Sequence, residues 1–426
     1  MEQQAFLAIA IFVITYGLII SEKIHRTILA MCGGLLMILL GIVDQGRAIG
    51  HIDFNTLGLL IGMMIIVSIM SETGMFRFLA VWAAKKVDGR PLALLIVFSL
   101  ITAIGSSFLD NVTTVLLMVP VTFSIARELS IGPTPFLISE ILMANIGGTA
   151  TMIGDPPNVM IGSAIKQLSF NDFIVNLTPV VVIIFLVILG LLVVIYRRNL
   201  KTTDEARARL ARLDPFSEIT DPGLLVKSLV VLILTITGFF MHGVLGAETA
   251  TIALTGAFLL LLLTGENYLE SSFEKVEWPT IFFFIGLFVL VGGLIDTGVI
   301  KQLSESLLQL TGGDRVGTSI LILWMSAFAS AFIDNIPFVA TMIPLVEDMG
   351  RLGISNLEPL WWSLSLGACL GGNGMLIGAS ANLIVAGLSA KEGYPITFVR
   401  FMKIGLPLMC LSVTIAMIYI FLRYFI

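Results

Sequence analysis

Long apolar runs, each near the length of a bilayer-crossing helix, alternate along this chain with short polar connections. In the first half they lie near residues 4–20, 27–43 and 55–73, then over Pro91–Ala126. A further run, from about Pro135 to Lys166, is interrupted by GDPPN, and another covers residues 172–196. TPVVVIIFLVILGLLVVIY (178–196) and ATIALTGAFLLLLLT (250–264) are typical. A hydrocarbon core needs about 20 apolar residues per helix, so the pattern predicts an all-α polytopic membrane protein. There are too many such runs for a signal peptide ahead of a soluble domain. The first run also lacks a basic n-region and a small-residue cleavage site.

The pattern is written twice. Sliding the chain against itself by 224 positions aligns three separate segments without gaps. FNTLGLLIGMMIIVSIMSETG from Phe54 falls on WPTIFFFIGLFVLVGGLIDTG from Trp278. SSFLDN falls on SAFIDN, pairing Asp110 with Asp334 and Pro120 with Pro344. ANIGGTATMIGDPPN from Ala144 falls on ACLGGNGMLIGASAN from Ala368, pairing Asn158 with Asn382. The expected organisation is a first repeat over 1–196, a linker over 197–221 and a second repeat over 222–426.

The linker is the most polar stretch of the chain. It carries Arg197, Arg198, Lys201, Arg207, Arg209 and Arg212 close to helix ends, and the positive-inside rule places it in the cytoplasm. Arg77, Lys85, Lys86 and Arg90 precede the Asp110 segment, and Arg127 follows it. That segment is therefore expected to enter and leave on the cytoplasmic side, as a re-entrant hairpin; its arms are long enough for two full spans. On the hairpin reading the first half crosses five times and the second half starts from the opposite face. The result is an inverted-topology repeat of about ten transmembrane helices, two re-entrant hairpins and two broken helices, a plan typical of secondary transporters. Both termini then lie on the non-cytoplasmic side of the cell (inner) membrane.

Two polar interruptions recur in both halves. Pro156 and Pro157 cannot continue a helix, and Gly147, Gly148 and Gly154 loosen the same region. The second copy, GGNGMLIGASAN, has no proline but keeps Gly371, Gly372, Gly374 and Gly378. Irregular backbone at membrane depth is tolerated only against protein or a water-filled cavity, so both breaks are expected to line a site. The Asp-Asn pairs pose the same problem more sharply. An Asp at the membrane centre costs about 2.5–3.5 kcal/mol even on the lenient insertion scale. Using it twice, at related positions, points to a shared internal site, with Asn111 and Asn335 able both to donate and to accept. Each pair also suits the N-cap of a second hairpin arm, and the two roles are compatible.

Composition and charge narrow the chemistry. The 426 residues are 57% hydrophobic and 12% charged, with a net charge of −5, which gives no support for nucleic-acid binding. The four interrupted segments, taken as 91–126, 135–165, 316–346 and 357–390, contain no Lys, Arg or His, only Asp110, Glu140, Asp155, Asp334 and Glu358, with Glu347 at an edge. His25, His51 and His242 fall in short connections, and Cys32, Cys369 and Cys410 in separate apolar segments without metal-ligand spacing. No enzyme, metal or cofactor is expected. A carboxylate-only core suits cations, protons or a neutral polyhydroxylic solute better than a large anion, although helix N-termini alone can hold an anion. Asp155 faces Ala379 across the repeat, so it is a candidate for the directional, proton-linked part of a cycle. Glu72 and Asp296, each before Thr-Gly, read as helix-boundary residues.

DN within SSFLDN and SAFIDNIPF, with GDPPN and the later ASAN, resembles the arsenite permease and NhaD sodium/proton antiporter family. That family belongs to the ion transporter superfamily, with the melanosomal P protein and, more distantly, dicarboxylate carriers. The resemblance covers nearly the whole chain; its motifs are specific for family and weak for substrate. It implies broken helices and hairpins around the site, a scaffold and a mobile unit, and often a homodimer. Carried onto this sequence, the substrate site comprises Asp110, Asn111, Thr113, Thr149 and Asn158, with Asp334, Asn335, Asn373, Ser380 and Asn382. Asp155, Asp334 and Asp110 are the proton-coupling candidates. Asp stands where dicarboxylate carriers have Ser at the hairpin turn, which weighs against a dicarboxylate. Compactness makes the chain most like a bacterial arsenite pump. Such a pump exports arsenite and antimonite as neutral trihydroxides against protons, or with a soluble arsenite-stimulated ATPase. A sodium/proton antiporter is the alternative, and an organic or inorganic anion transporter stands behind both.

Overall fold

Twenty-one α-helices and no strand make up the residues that the computed structural model describes: 2–21, 23–198 and 200–426. The first ten begin with α1 (Glu2–Ile20), α2 (Arg26–Leu39), α3 (Gln45–His51), α4 (Phe54–Ser71) and α5 (Met75–Lys86). They continue with α6 (Pro91–Phe108), α7 (Asn111–Glu128), α8 (Thr134–Gly148), α9 (Pro156–Ala164) and α10 (Phe170–Tyr196). A short α11 (Asp204–Ala211) lies in the connection between the halves. The second ten open with α12 (Pro222–Leu245), α13 (Thr249–Thr264), α14 (Leu269–Glu274), α15 (Trp278–Asp296) and α16 (Val299–Thr311). They close with α17 (Arg315–Phe332), α18 (Asn335–Arg351), α19 (Glu358–Gly371), α20 (Ser380–Lys391) and α21 (Phe398–Tyr424).

Each helix of the first set has a counterpart eleven numbers later. The shift of 224 residues brings α6 onto α17 end to end, and it grows to 228 only at α10 and α21, which are both 27 residues long. Polar caps set the starts. Asp53, Asp110, Asp221, Asp314 and Asp334 each accept a backbone N–H of the helix that follows. Gly74 and Gly298, twins at the starts of α5 and α16, both take left-handed backbone (φ 77° and 78°). A side chain at Gly74 would also strike the Glu218 carbonyl at 1.9 Å.

Among the described residues, eight helices are long and apolar enough to cross a membrane: α1, α4, α6, α10, α12, α15, α17 and α21. The shorter apolar α2 and α13 pack across the halves, α2 on α15 and α13 on α4. Small residues permit the approach: a Cβ on Gly62 would lie 2.6 Å from the Ala253 backbone, and one on Gly286 would lie 2.5 Å from Ala30.

The apolar pattern concealed three features. The run expected over 27–43 ends at Leu39, and a separate α3 follows with His51 as its last residue rather than in a connection. There His51 sits 3.2 Å from Asp296. The amphipathic α5 and α16 are too polar to register as membrane runs.

The two hairpins enter from opposite ends of the molecule. At one end, Arg209 donates to the Glu128 carbonyl at the close of α7, Arg207 to Asp88 and Lys85 to Leu213, so the connection 197–221 wraps the base of α6–α7. At the other end, the base of α17–α18 meets the turn between α9 and α10, where Lys166 and Arg351 border one cavity. Lys166 also pairs there with Glu248 at 2.6 Å, which pushes the lysine ammonium further up. This is an inverted repeat, and its hairpin tips meet in the interior.

Candidate functional site

Both tips are built alike. Leu109 and Ile333 are extended, and the Asp that follows caps the returning helix. Asp110 accepts from the Thr113 amide at 2.8 Å and from the Thr113 hydroxyl. Asp334 accepts from the Ile336 amide at 3.1 Å and from the Ser380 hydroxyl at 2.9 Å. It also pairs with Arg26, the first residue of α2, whose guanidinium lies over the Phe283 ring at 4.9 Å.

The helix breaks supply the opposing wall. Pro156 and Pro157 occupy the first turn of α9, where a missing N–H costs nothing, so the prolines start a helix rather than interrupt one. Asp155 precedes them, fully buried on extended backbone (φ −143°, ψ 134°). Its Oδ1 accepts from the Asn335 amide at 3.2 Å, and its Oδ2 has no partner among the described residues. Ala379, its twin, holds nearly the same backbone (φ −151°, ψ 146°). The acid is therefore not a requirement of the turn.

Asp110, Asn111, Asp155, Asn335 and Ser380 line one small central space of about 30 Å³, together with Arg26, Glu277 and Thr280. That is room for roughly one water. Arg26 and Ser380, with Asp334, also border a neighbouring cavity of about 390 Å³ with walls of Ile24, Ile333, Ile377 and Ile384.

Thr149, Asn158, Asn373 and Asn382 do not line the central space. Thr149 returns its hydroxyl to the Asn145 carbonyl. Asn158 ties its own break together by donating to the Thr149 and Thr151 carbonyls, and Asn382 does the same to Gly372 and Met375. Across the halves, Asn145 donates to Asn373 at 2.9 Å and to Asn382 at 3.0 Å, while its own oxygen accepts from Asn111 at 3.2 Å. The related contact on the other side runs from Ser365 and Cys369 to Asn158. A buried, satisfied amide network thus joins the two breaks beneath the acidic space.

Arg26, Glu277, Thr280 and Asn145 escaped the sequence reading. Arg26 and Glu277 come from outside the four interrupted segments, so the expectation of a core without cations holds for those segments and fails for the site. Asn145 looked like one polar residue in an apolar helix; its twin is Cys369, which hid it from the repeat. Cys32, Cys369 and Cys410 lie on α2, α19 and α21, and no group of three metal-binding side chains occurs among the described residues.

Comparison with known proteins gives one family and one fold. The sequence model described as a citrate transporter (CitMHS) matches residues 16–367. An uncharacterized transporter of Mycobacterium tuberculosis is 42% identical over 428 residues, covering 98% of each chain. The P protein of Homo sapiens is 35% identical over 501 residues, covering 98% of this chain and 60% of that one. Among solved structures, the YdaH transporter of Alcanivorax borkumensis aligns with a TM-score of 0.60 at 12% identity, covering 98% of this chain and 97% of its own. MtrF of Neisseria gonorrhoeae, described within a class of antimetabolite efflux pumps, aligns at 0.59 and 13%, covering 99% and 95%. The last two speak for the fold. The matches reach the wider grouping that includes the P protein; the arsenite permease and NhaD family is finer than they resolve.

Proposed function

The chain belongs to the citrate transporter family and is a secondary transporter, and we propose that it couples solute movement to protons through Asp155. The observation that carries this reading is the contact between Asp155 of one half and Asn335 of the other. A buried carboxylate that accepts from Asn335 through one oxygen and has no hydrogen-bond partner on the other among the described residues sits where the inverted halves meet, and its twin position is alanine. Such an acid binds and releases a proton as the site turns from one face to the other, and the asymmetry gives the cycle a direction. The hairpin tips with Asp110 and Asp334 hold the solute, and the satisfied amides of Asn145, Asn158, Asn373 and Asn382 keep the breaks in shape.

Four acids (Asp110, Asp155, Asp334 and Glu277) surround the central space and its neighbour, against one arginine. That balance favours a neutral or cationic solute: arsenite or antimonite as trihydroxides, or sodium. Arg26 favours a second reading, a carboxylate solute as in the family's name, which would displace Asp334 from the guanidinium. The basic linker end is assigned to the cytoplasm by the positive-inside rule, with both termini on the far side. The test is purified protein in liposomes under an imposed pH gradient, offered arsenite, sodium or citrate in turn. Gradient-driven accumulation of arsenite or sodium alone supports the first reading; accumulation of citrate alone replaces it with the second.

A further inference from the structure

One buried acid among the described residues lies outside this site. Glu140, on α8, is fully buried, and its Oε1 accepts the hydroxyl of Thr122 on α7, itself buried. Its Oε2 has no hydrogen-bond partner among the described residues. The repeat supplies a control. The twins of Glu140 and Thr122 are Leu364 and Val346, both fully buried, so the fold fills this place with hydrocarbon where no acid is used.

Among the described residues, no countercharge faces Glu140. Of the helices packed against α8, α6 carries no titratable group; α10 carries Asp172 and Tyr196, α19 carries Glu358 and Cys369, and α20 carries Lys391. On α7 the titratable groups are Arg127 and Glu128 at one end, with Asp110 capping the other. Arg127, a turn and a half beyond Thr122, is exposed and pairs with Glu392. An ionised carboxylate with one hydroxyl and no cation is strongly disfavoured in a bilayer interior, and a proton on Glu140 removes that cost.

Position gives that proton a use. The base of the α6–α7 hairpin, where α8 starts, is the linker end, and Asn145 follows Glu140 by five residues, about 7.5 Å along the helix axis. We propose that Glu140 is a second proton-binding site of the transport cycle, set between the linker end and the amide network that Asn145 joins. It takes a proton from water at that end and returns it when the α7–α8 contact opens. This rests on the proton-coupled reading above.

Two variants separate coupling from packing: Glu140→Gln keeps the bond to Thr122, and Glu140→Leu copies the second half. Infrared spectroscopy of the lipid-reconstituted protein at neutral pH should show a carboxylic-acid band that Glu140→Gln lacks. In liposomes both variants should retain downhill solute exchange, lose gradient-driven accumulation and lose the wild-type pH profile. A proton-coupled wild type whose Gln variant keeps its pH profile would overturn this inference and leave the proposed function standing. A wild type indifferent to the pH gradient would overturn the proposed function, and the inference with it.

Discussion

Asn335, at the tip of the second hairpin, donates its side-chain amide at 3.2 Å to Asp155, at the helix break of the first half. The related pair would be Asn111 with Ala379, and there the contact has no acceptor. Asn111 turns instead to Asn145. Two halves with matching backbones thus have different chemistry at one matched point, which makes a nearly two-fold site asymmetric.

That contact predicts unequal effects from equal changes. Asn335→Ala removes an amide donor from a buried acid and should cost about 1–3 kcal/mol of stability, with altered pH dependence of transport. Asn111→Ala should leave the pH profile as it is. Thermal unfolding and a pH series of uptake in liposomes check both.

The ion pair of Arg26 with Asp334 lies between the exposed and fully buried cases, with side chains 25% and 11% accessible. Arg26→Gln should therefore destabilise by about 1–3 kcal/mol. Removing both charges, in Arg26→Leu with Asp334→Leu, should recover stability without recovering transport. Thermal melts beside flux assays distinguish the outcomes.

Much of this was legible in the sequence because of the repeat. A shift of 224 aligned the hairpins and the breaks, and an inverted plan followed from one basic linker and an odd count of crossings. Asp110, Asn111, Asp155, Asn335 and Ser380 do converge on one space. What escaped reading depended on packing between elements far apart in sequence. Arg26 reaches Asp334 across 308 positions, and no local pattern records that. Thr149 and Asn158 were expected among the binding groups because the family resemblance carries the site onto the first helix break. In the fold their bonding capacity is taken by the backbone of the break itself.

Close backbone approach predicts another matched pair. A Cβ on Gly147 would fall 2.1 Å from the Ala103 carbonyl oxygen, and one on its twin Gly371 would fall 2.4 Å from that of Ala327. Gly147→Ala and Gly371→Ala should each lower stability by about 1–3 kcal/mol through overpacking. Gly190→Ala, on α10 with nothing within 4 Å of the added carbon, should be neutral or mildly stabilising. Melting temperatures in detergent provide the comparison.

Asn145 serves three partners, so Asn145→Ala should strip Asn373, Asn382 and Asn111 of bonds together and reduce transport at least tenfold, the equivalent of about 1.4 kcal/mol. Asn145→Cys, which copies the second half, should be the milder of the two. Initial rates of downhill exchange, with expression and melting controls, decide this.

The proton assigned to Asp155 is put to the test by Asp155→Asn in liposomes. The amide matches the protonated acid in shape but cannot give up a proton. With the solute that the wild type accumulates under an imposed pH gradient, the variant should still exchange that solute downhill and should accumulate none against its gradient. Wild-type accumulation by Asp155→Asn, with an unchanged pH profile, would contradict the account.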